Sequence, residues 1–589
     1  MASFALFLIA ACGHAPAPPA RRETAPPAAA DVNRVADEYF EAYLQLNPMQ
    51  ATQAGDHRFD DRLGSVLTIA YLADSLALER RALHDLAAVP EGSLDAEARL
   101  TYDIFKRGRE LAIEGFTYPS ELLPVNPFDS LPQRFALWGS GGGPQPFATA
   151  RDYEHWLARI EDFRRWTQQA IANMREGMRR GYTVPRPLVE RMLPQFALLA
   201  EDAPDNVFYL PLNAMPPNIP EPVRSDLRRR VAAAVRSTVL PSYRELHDFL
   251  KGEYLPVARG GLALADLPLG EAWYAHLVRS STSTTATPAE VHALGVAQVE
   301  SMHARLQSFL AETAFPGNLA GYLASLRADG RAFQPGGADL LAAYGELRAK
   351  TIEASRMLFV LPGDPTYDVR AVPHGCEAAY PPVFYQPAAD AAAPGILYVN
   401  TGNPSAAPAY ALEANALNEG VPGHHLQWII QQARAAPPIF RRFASFPGFS
   451  AGWGAYAAAL GPELGLAADP GARFGSLMAE LSHAVALVVD TGLHSQGWTR
   501  KQAAEYLEVN LSADPAEAAA AVDRMAALPG EALAAGVGAT RIQAIRLRTQ
   551  QQMGAAFDVR AFHTELLSGG AMPLDILAQR MGRRMETPP

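Results

Sequence analysis

The chain has 589 residues, 49% of them apolar and 19% charged, a globular composition long enough for several lobes or one large multi-lobed domain. Its 51 Lys and Arg against 62 Asp and Glu give a formal charge of −11, so no basic surplus exists to neutralise phosphates and nucleic acid is not an expected partner. Two cysteines, Cys12 and Cys376, exclude a disulfide framework, and 45 Gly and 48 Pro without a Gly-X-Y period exclude a collagen-like chain.

The N-terminus carries the first signal. Phe4 to Ala11 is a short apolar run that ends at Cys12-Gly13. Ile9-Ala10-Ala11-Cys12 is similar to a bacterial lipobox, in which cleavage exposes a cysteine that is then acylated, although no Lys or Arg precedes the apolar run as in an ordinary signal peptide. The Pro/Ala-rich stretch from His14 to Ala30 reads as a tether. The expectation is a signal peptide over 1–11, lipidation at Cys12, a tether to residue 30, and export to the cell envelope with the protein anchored on the periplasmic side. No run of about 20 apolar residues follows, so no membrane-crossing helix is expected.

Helical periodicity dominates from Asp31. Apolar positions fall on one face from Val32 to Leu46, where Asn47-Pro48 ends the pattern. Similar patterns cover 65–86, 94–114, 150–180, 221–250 and 288–313. Thr287-Pro288-Ala289-Glu290 predicts a helix start, with a Thr cap, Pro at the first helical position and a carboxylate three residues after the cap. The Gly139–Gly143 segment (GSGGG) lacks the Lys-Ser/Thr of a phosphate loop and is read as a plain loop. Strand character is confined to 367–372, 382–385 and 395–400, and helices return from about 407. The predicted fold is therefore mainly α: a multi-helical body with a small embedded β-sheet. Cys376 is read as an inert thiol.

The segment Glu413 to Gln427 (EANALNEGVPGHHLQ) is the most informative. A glutamate next to a ligand position, with imidazoles two turns on, is how helical zinc peptidases present ligands and a general base. In a continuous helix Asn418 and His425, seven apart, share a face, and His424 points about 120° away. Pro422-Gly423 interrupts that helix. The residues alone are equally compatible with two helices joined by a Pro-Gly step and a hydrogen-bonded pair of histidines.

Asn418 to Gln427 resembles the signature His-Glu-x-x-Pro-Gly-His-His-x-Gln of a family of bacterial proteins of unknown function related to zinc peptidases. Further blocks match in order: 47–61, 240–256, 369–373, 398–401, 490–494 and 529–530. The resemblance implies a two-lobed helical fold of the gluzincin type, with an N-terminal lobe over about 31–285 and a catalytic-like lobe over about 286–586. It also implies a substrate strand added to a sheet edge, for which Gly395 to Asn400 is the candidate. The departures are specific. The first His is Asn418. The motif Glu-Gly-Trp-x-x-Tyr-Ala-Glu reads Ala451-Gly452-Trp453-Gly454-Ala455-Tyr456-Ala457-Ala458, and two arginine positions read His483 and Ala486. Later, Glu531, Ala535 and Gly536 stand where the family tends to show Gln and Tyr-Lys. Of three implied zinc ligands only one survives, at His424 or His425, because Asn offers a weak amide oxygen and Ala nothing.

The expectation is a degenerate, non-catalytic member with no cofactor, whose cleft holds a peptide or small-molecule ligand. Glu419 is then a vestigial general base. Two alternatives stand beside it. An active zinc peptidase would use Glu419 as base, His424 or His425 as ligand and Tyr456 as transition-state donor. A rebuilt metal site would add His483, Asp490 and His494, which form a polar stripe on an apolar helix and are otherwise expected to line a cleft. A serine hydrolase would use Ser450 in Gly448-Phe449-Ser450-Ala451-Gly452, a Gly-x-Ser-x-Gly match that requires a buried strand before the serine.

Overall fold

The computed structural model describes residues 27–328, 336–388, 394–402, 408–434, 438–467 and 469–586. The lipobox, Cys12 and most of the tether lie outside them. The first helix, Pro27–Leu46, starts four residues earlier than the periodicity predicts and stops ahead of Pro48 as expected. Helices Ile69–Ala87, Ala96–Gly115, Ala150–Arg180 and Pro288–Glu312 agree with the predicted segments. At the last of these, Thr287 Oγ1 accepts from the Glu290 amide at 3.3 Å and the Glu290 carboxylate accepts from the Thr287 amide at 2.8 Å. Such a reciprocal cap contributes about 1 kcal/mol. The 221–250 segment is helical but not uniform, with π-helical turns at Val235–Val239 and Leu250–Tyr254.

The three strands form one sheet: β1 (Asp368–Ala371), β2 (Val383–Gln386) and β3 (Ile396–Val399). Their order is β1-β3-β2, with β3 parallel to β1 and antiparallel to β2. The candidate edge strand 395–400 is therefore the centre of the sheet, which leaves β1 and β2 as its edges. Leu397, Tyr398 and Val399 are all buried, so both faces of β3 are covered. The glycine loop docks onto this sheet, where the Gly142 carbonyl accepts from Tyr398 Oη at 2.7 Å and from Gln386 Nε2 at 3.2 Å.

One large apolar core includes Phe135, Trp156, Phe163 and Tyr243 from the N-terminal half and Phe474, Leu481 and Val488 from the C-terminal half. A second core gathers around the sheet and the 412–460 region, with Leu397, Leu417, Leu426, Phe449 and Trp453. Among the described residues the Pro470–Ser495 helix is long and apolar enough to cross a membrane, but most of its apolar stretch is buried inside the fold. Burial in the core accounts for its composition. Cys376 is also buried, and desolvation pushes its thiol up to about 12, consistent with an inert side chain.

The Pro447–Ala459 helix is pressed against its neighbours through glycines. A Cβ at Gly452 would lie 2.4 Å from the Gly538 Cα in the Leu533–Met553 helix, and one at Gly448 would lie 2.3 Å from the Thr282 carbonyl oxygen. Nothing in those backbones can yield cheaply. Gly452→Ala should therefore lower stability by about 1–3 kcal/mol. Gly345, inside the Gly337–Ser355 helix, has open space around it, and Gly345→Ala should raise stability by about 0.5–1 kcal/mol. Urea midpoints of the two variants check the opposite signs.

Candidate functional site

The site is built on a broken helix. Helix Leu412–Glu419 ends at Gly420, and helix His424–Gln432 begins after a cis Val421–Pro422 peptide and Gly423. Both glycines are required by close approach: a Cβ at Gly423 would lie 1.8 Å from the Asn418 carbonyl oxygen, and one at Gly420 would lie 2.2 Å from Tyr367 Oη. The buried Trp453 indole N–H donates to two carbonyls of the turn: Pro422 at 2.9 Å, and Gly423 at 3.2 Å, which also accepts the Gln427 amide of the second helix at 3.0 Å.

This break resets the helical phase, and the two histidines exchange the roles that a continuous helix predicts. His424 faces Asn418: the position of a Cβ on Gly454 is 2.0 Å from Asn418 Oδ1 and 2.9 Å from His424 Nε2. His425, only 2% exposed, turns inward between Tyr367 and Tyr385, with ring centroids at 5.0 and 5.3 Å. Its Nδ1 is 2.9 Å from Tyr385 Oη, and the main chain at Pro365 and Thr366 also acts on the ring. Burial pushes this imidazole down to about 4, so it is neutral at physiological pH.

Glu419 stands at the end of its helix, where Oε2 accepts from the Tyr385 amide of β2 at 2.8 Å. Burial raises its carboxyl above the usual carboxylate range, opposed by the His424 imidazole and by the Tyr385 amide. Because the Tyr385 N–H points out of the sheet to Glu419, this stretch of the β2 edge is already satisfied and does not offer that donor to an added strand.

The third wall is the helix face carrying Ala451, Gly454 and Ala458, at spacings of three and four residues. The methyls of Ala451 and Ala458 stand where the related motif places carboxylates, and Gly454 between them adds only a hydrogen. The donor set is thus one imidazole (His424), one carboxylate (Glu419) and one amide (Asn418), whose Oδ1 is buried without a partner. Among the described residues no three His, Cys, Asp or Glu side chains converge as a metal would require. These residues do not fit a catalytic zinc, which takes three protein ligands of His or carboxylate type.

The site opens into a cleft of about 700 Å³ between the N-terminal helices and the 385–450 region. Glu419, His424, Tyr385, Trp428, Tyr39 and Tyr43 line it, together with a buried ion pair. In that pair Arg109 Nε lies 3.2 Å from Glu79 Oε2, Tyr39 Oη donates to Glu79 Oε1 at 2.7 Å, and the guanidinium lies over the Tyr39 ring at 4.0 Å. Sequence reasoning missed Tyr385, Tyr39 and the Glu79–Arg109 pair. All four belong to apolar-periodic segments or to a strand, and no local pattern marks them as facing Glu419.

The remaining candidates lie elsewhere. Tyr456 does not face the cleft at Glu419. Its hydroxyl is 2.8 Å from His563 Nε2 and accepts from Arg546 Nη1 at 3.1 Å, while Arg546 forks onto Glu463 at 2.9 and 2.6 Å. His563 Nδ1 donates to the Leu358 carbonyl at 2.9 Å, so its Nε2 is the acceptor for Tyr456. Burial lifts the Tyr456 phenol well above its usual value. The expected transition-state donor is thus a buried structural tie, and its partner His563 was not singled out in the sequence. His483 lines a separate cleft of about 620 Å³ with Tyr456, Glu463 and Thr540.

Asp490 and His494 are fully buried, and neither is among the residues that line the two clefts described above. Asp490 accepts from Tyr274 Oη at 2.6 Å and from the Gly530 amide at 3.1 and 3.2 Å. His494 accepts from the Leu264 amide at Nδ1 and donates from Nε2 to the Met525 carbonyl, each at 3.0 Å. These bonds use both imidazole nitrogens and tie the helix to three neighbouring segments, so a rebuilt metal site with His483 and His425 does not form. Ser450 lines the main cleft but sits in the first turn of the Pro447–Ala459 helix, after the short Phe440–Phe443 helix. The strand that a nucleophile elbow needs is absent there.

Burial raises the Asp490 carboxyl to about 7. A carboxyl raised on folding contributes stability that is complete below its unfolded value of about 3.9 and is lost as pH rises through about 7. The stability advantage of the wild type over Asp490→Asn should therefore be larger at pH 4 than at pH 8, by on the order of a few kcal/mol. Urea denaturation at the two pH values checks the sign.

No curated protein matches the chain. Solved structures similar to it include two candidate lipoproteins. One, described as a candidate lipoprotein from Colwellia psychrerythraea, has a TM-score of 0.87 and 20% identity, covering 95% of this chain and 100% of that one. Another, a candidate lipoprotein of unknown function from Shewanella oneidensis, has a TM-score of 0.65 and 15% identity, covering 93% and 99%. At these identities the likeness establishes the fold. The profile of the bacterial proteins of unknown function DUF885 matches residues 48–581, and the chain belongs to that family.

Proposed function

We propose that this chain is an exported, lipid-anchored envelope protein with a zinc-peptidase-like scaffold whose metal site has been dismantled, and that its cleft binds a peptide or envelope ligand without cleaving it. The single observation that carries the reading is the wall opposite His424, where Ala451, Gly454 and Ala458 present no donor atom and Asn418 presents an amide. A complete structural zinc site is worth about 10–16 kcal/mol, and a set reduced to one imidazole and one amide keeps a small part of that. The cleft itself persists, with a lining drawn from residues 39–112 on one side and 385–450 on the other.

Glu419 keeps the position of a general base. A base without an activated nucleophile positions and attracts a ligand but hydrolyses nothing at a useful rate. Export and anchoring rest on the Cys12 motif and agree with the lipoprotein descriptions of the two similar structures.

Metal analysis by mass spectrometry of the dialysed full chain tests the reading. The wild type should retain zinc far below one equivalent and cleave no peptides. The variant Asn418→His with Ala451→Glu should gain zinc binding that His424→Ala removes. A wild type that holds one equivalent, lost on His424→Ala, would contradict it.

A further inference from the structure

We infer that the cleft takes the primary ammonium group of its ligand at Glu419, an assignment that rests on the ligand-binding reading of the cleft and names what it recognises. The argument starts from the charges of the lining. Glu79 is matched by Arg109, and Tyr39 donates to the same carboxylate. Glu419 has no guanidinium or ammonium partner: among the described residues no Lys or Arg pairs with it, the neighbouring His424 imidazole is the group that favours its charged form, and the Tyr385 amide, 2.8 Å from Oε2, is its one hydrogen-bond donor. A carboxylate in a partly dry, aromatic-walled cleft favours an incoming cation.

Hydrogen-bond chemistry narrows the cation. Beside Glu419 a second acceptor lacks a donor. Next to Glu419 in the chain, Asn418 Oδ1 is buried without any donor, and it flanks Gly454 together with His424 Nε2. An –NH3+ group supplies one positive charge and three donors on a single atom. A guanidinium is less suited, because its fork is matched by both oxygens of a carboxylate and here Oε2 is already held by the β2 backbone. The rings of Tyr385, Trp428 and Tyr43 line the same space, and aromatic faces attract an ammonium further. The Tyr385 ring is fixed for this purpose by its hydroxyl contact with His425 Nδ1 at 2.9 Å.

Two sources carry such a group: the α-ammonium of a free peptide N-terminus and the side-chain ammonium of a lysine-type residue. Calorimetric titration of the purified full chain at neutral pH separates them with three probes: alanyl-alanine amide, N-acetyl-lysine methylamide and the uncharged N-acetyl-alanyl-alanine amide. One of the two ammonium probes should bind at least about tenfold more tightly than the uncharged probe, the range expected of a charge-assisted hydrogen bond. Which of them does so identifies the source. Glu419→Gln should erase the preference, and Asn418→Ala should weaken it several-fold; both should melt within a few degrees of the wild type.

Equal binding of charged and uncharged probes, no binding by any of them, or a preference that survives in Glu419→Gln would overturn the inference. If Glu419→Gln does not fold, the Asn418→Ala comparison decides, and an unchanged preference there overturns it. The same samples are assayed for zinc. A stoichiometric metal in the wild type defeats the metal-free reading of the cleft, whereas a failed probe comparison on metal-free protein defeats the ammonium assignment alone.

Discussion

The arrangement of the cleft depends on one buried donor. The Trp453 indole N–H closes on the Pro422 and Gly423 carbonyls, at 2.9 and 3.2 Å, and so stabilises the break by giving the buried Pro422 carbonyl a donor. From that contact three consequences follow. Glu419 is left at a helix end where β2 can reach it, His424 is rotated toward Asn418, and His425 is sent into the core between two tyrosines. The partner helix brings more than the indole. One residue beyond Trp453, Gly454 brings its backbone against Asn418 and His424 so closely that any side chain there would displace both.

In the proposed reading, scaffold and chemistry have parted company on that same helix. The side chains that hold it in place remain: Gly448 and Gly452 against neighbouring backbones, Trp453 on the turn, and Tyr456 on His563 and Arg546. Beside them, Ala451, Gly454 and Ala458 offer only methyls and a hydrogen. A fold can survive such losses because its stability is distributed over two large apolar cores, whereas a metal site concentrates its energy in three or four atoms. The outcome is a polar pocket in which the Asn418 Oδ1 is buried without a donor, a condition a protein tolerates when a ligand supplies the missing donor.

Much of the fold was legible in the sequence because it is helical, and helices are written locally. The 3.6-residue spacing and the Thr287–Glu290 cap located whole elements to within a few residues. The short strands were legible too, but not their order: β3 reads like an edge, yet pairing across dozens of residues puts it in the middle. The site was legible in composition and misleading in geometry. Counting along an unbroken helix aligned His425 with Asn418, and the interruption at Pro422-Gly423, visible in the sequence, gave no measure of the rotation it imposes. Asp490 and His494 carried the right signal of a polar stripe but no indication that Tyr274, Gly530, Leu264 and Met525 would consume it. Tyr385 and His563 sit in ordinary apolar contexts, and only tertiary packing gives them a role.

The central claim is that the side chains around Asn418, His424 and Ala451 no longer hold a metal ion. Crystals of the wild type soaked in zinc and measured on both sides of the zinc absorption edge test it most directly. The account predicts no anomalous peak within bonding distance of His424 Nε2 and Asn418 Oδ1. A fully occupied peak bound by His424 with tetrahedral geometry would contradict it.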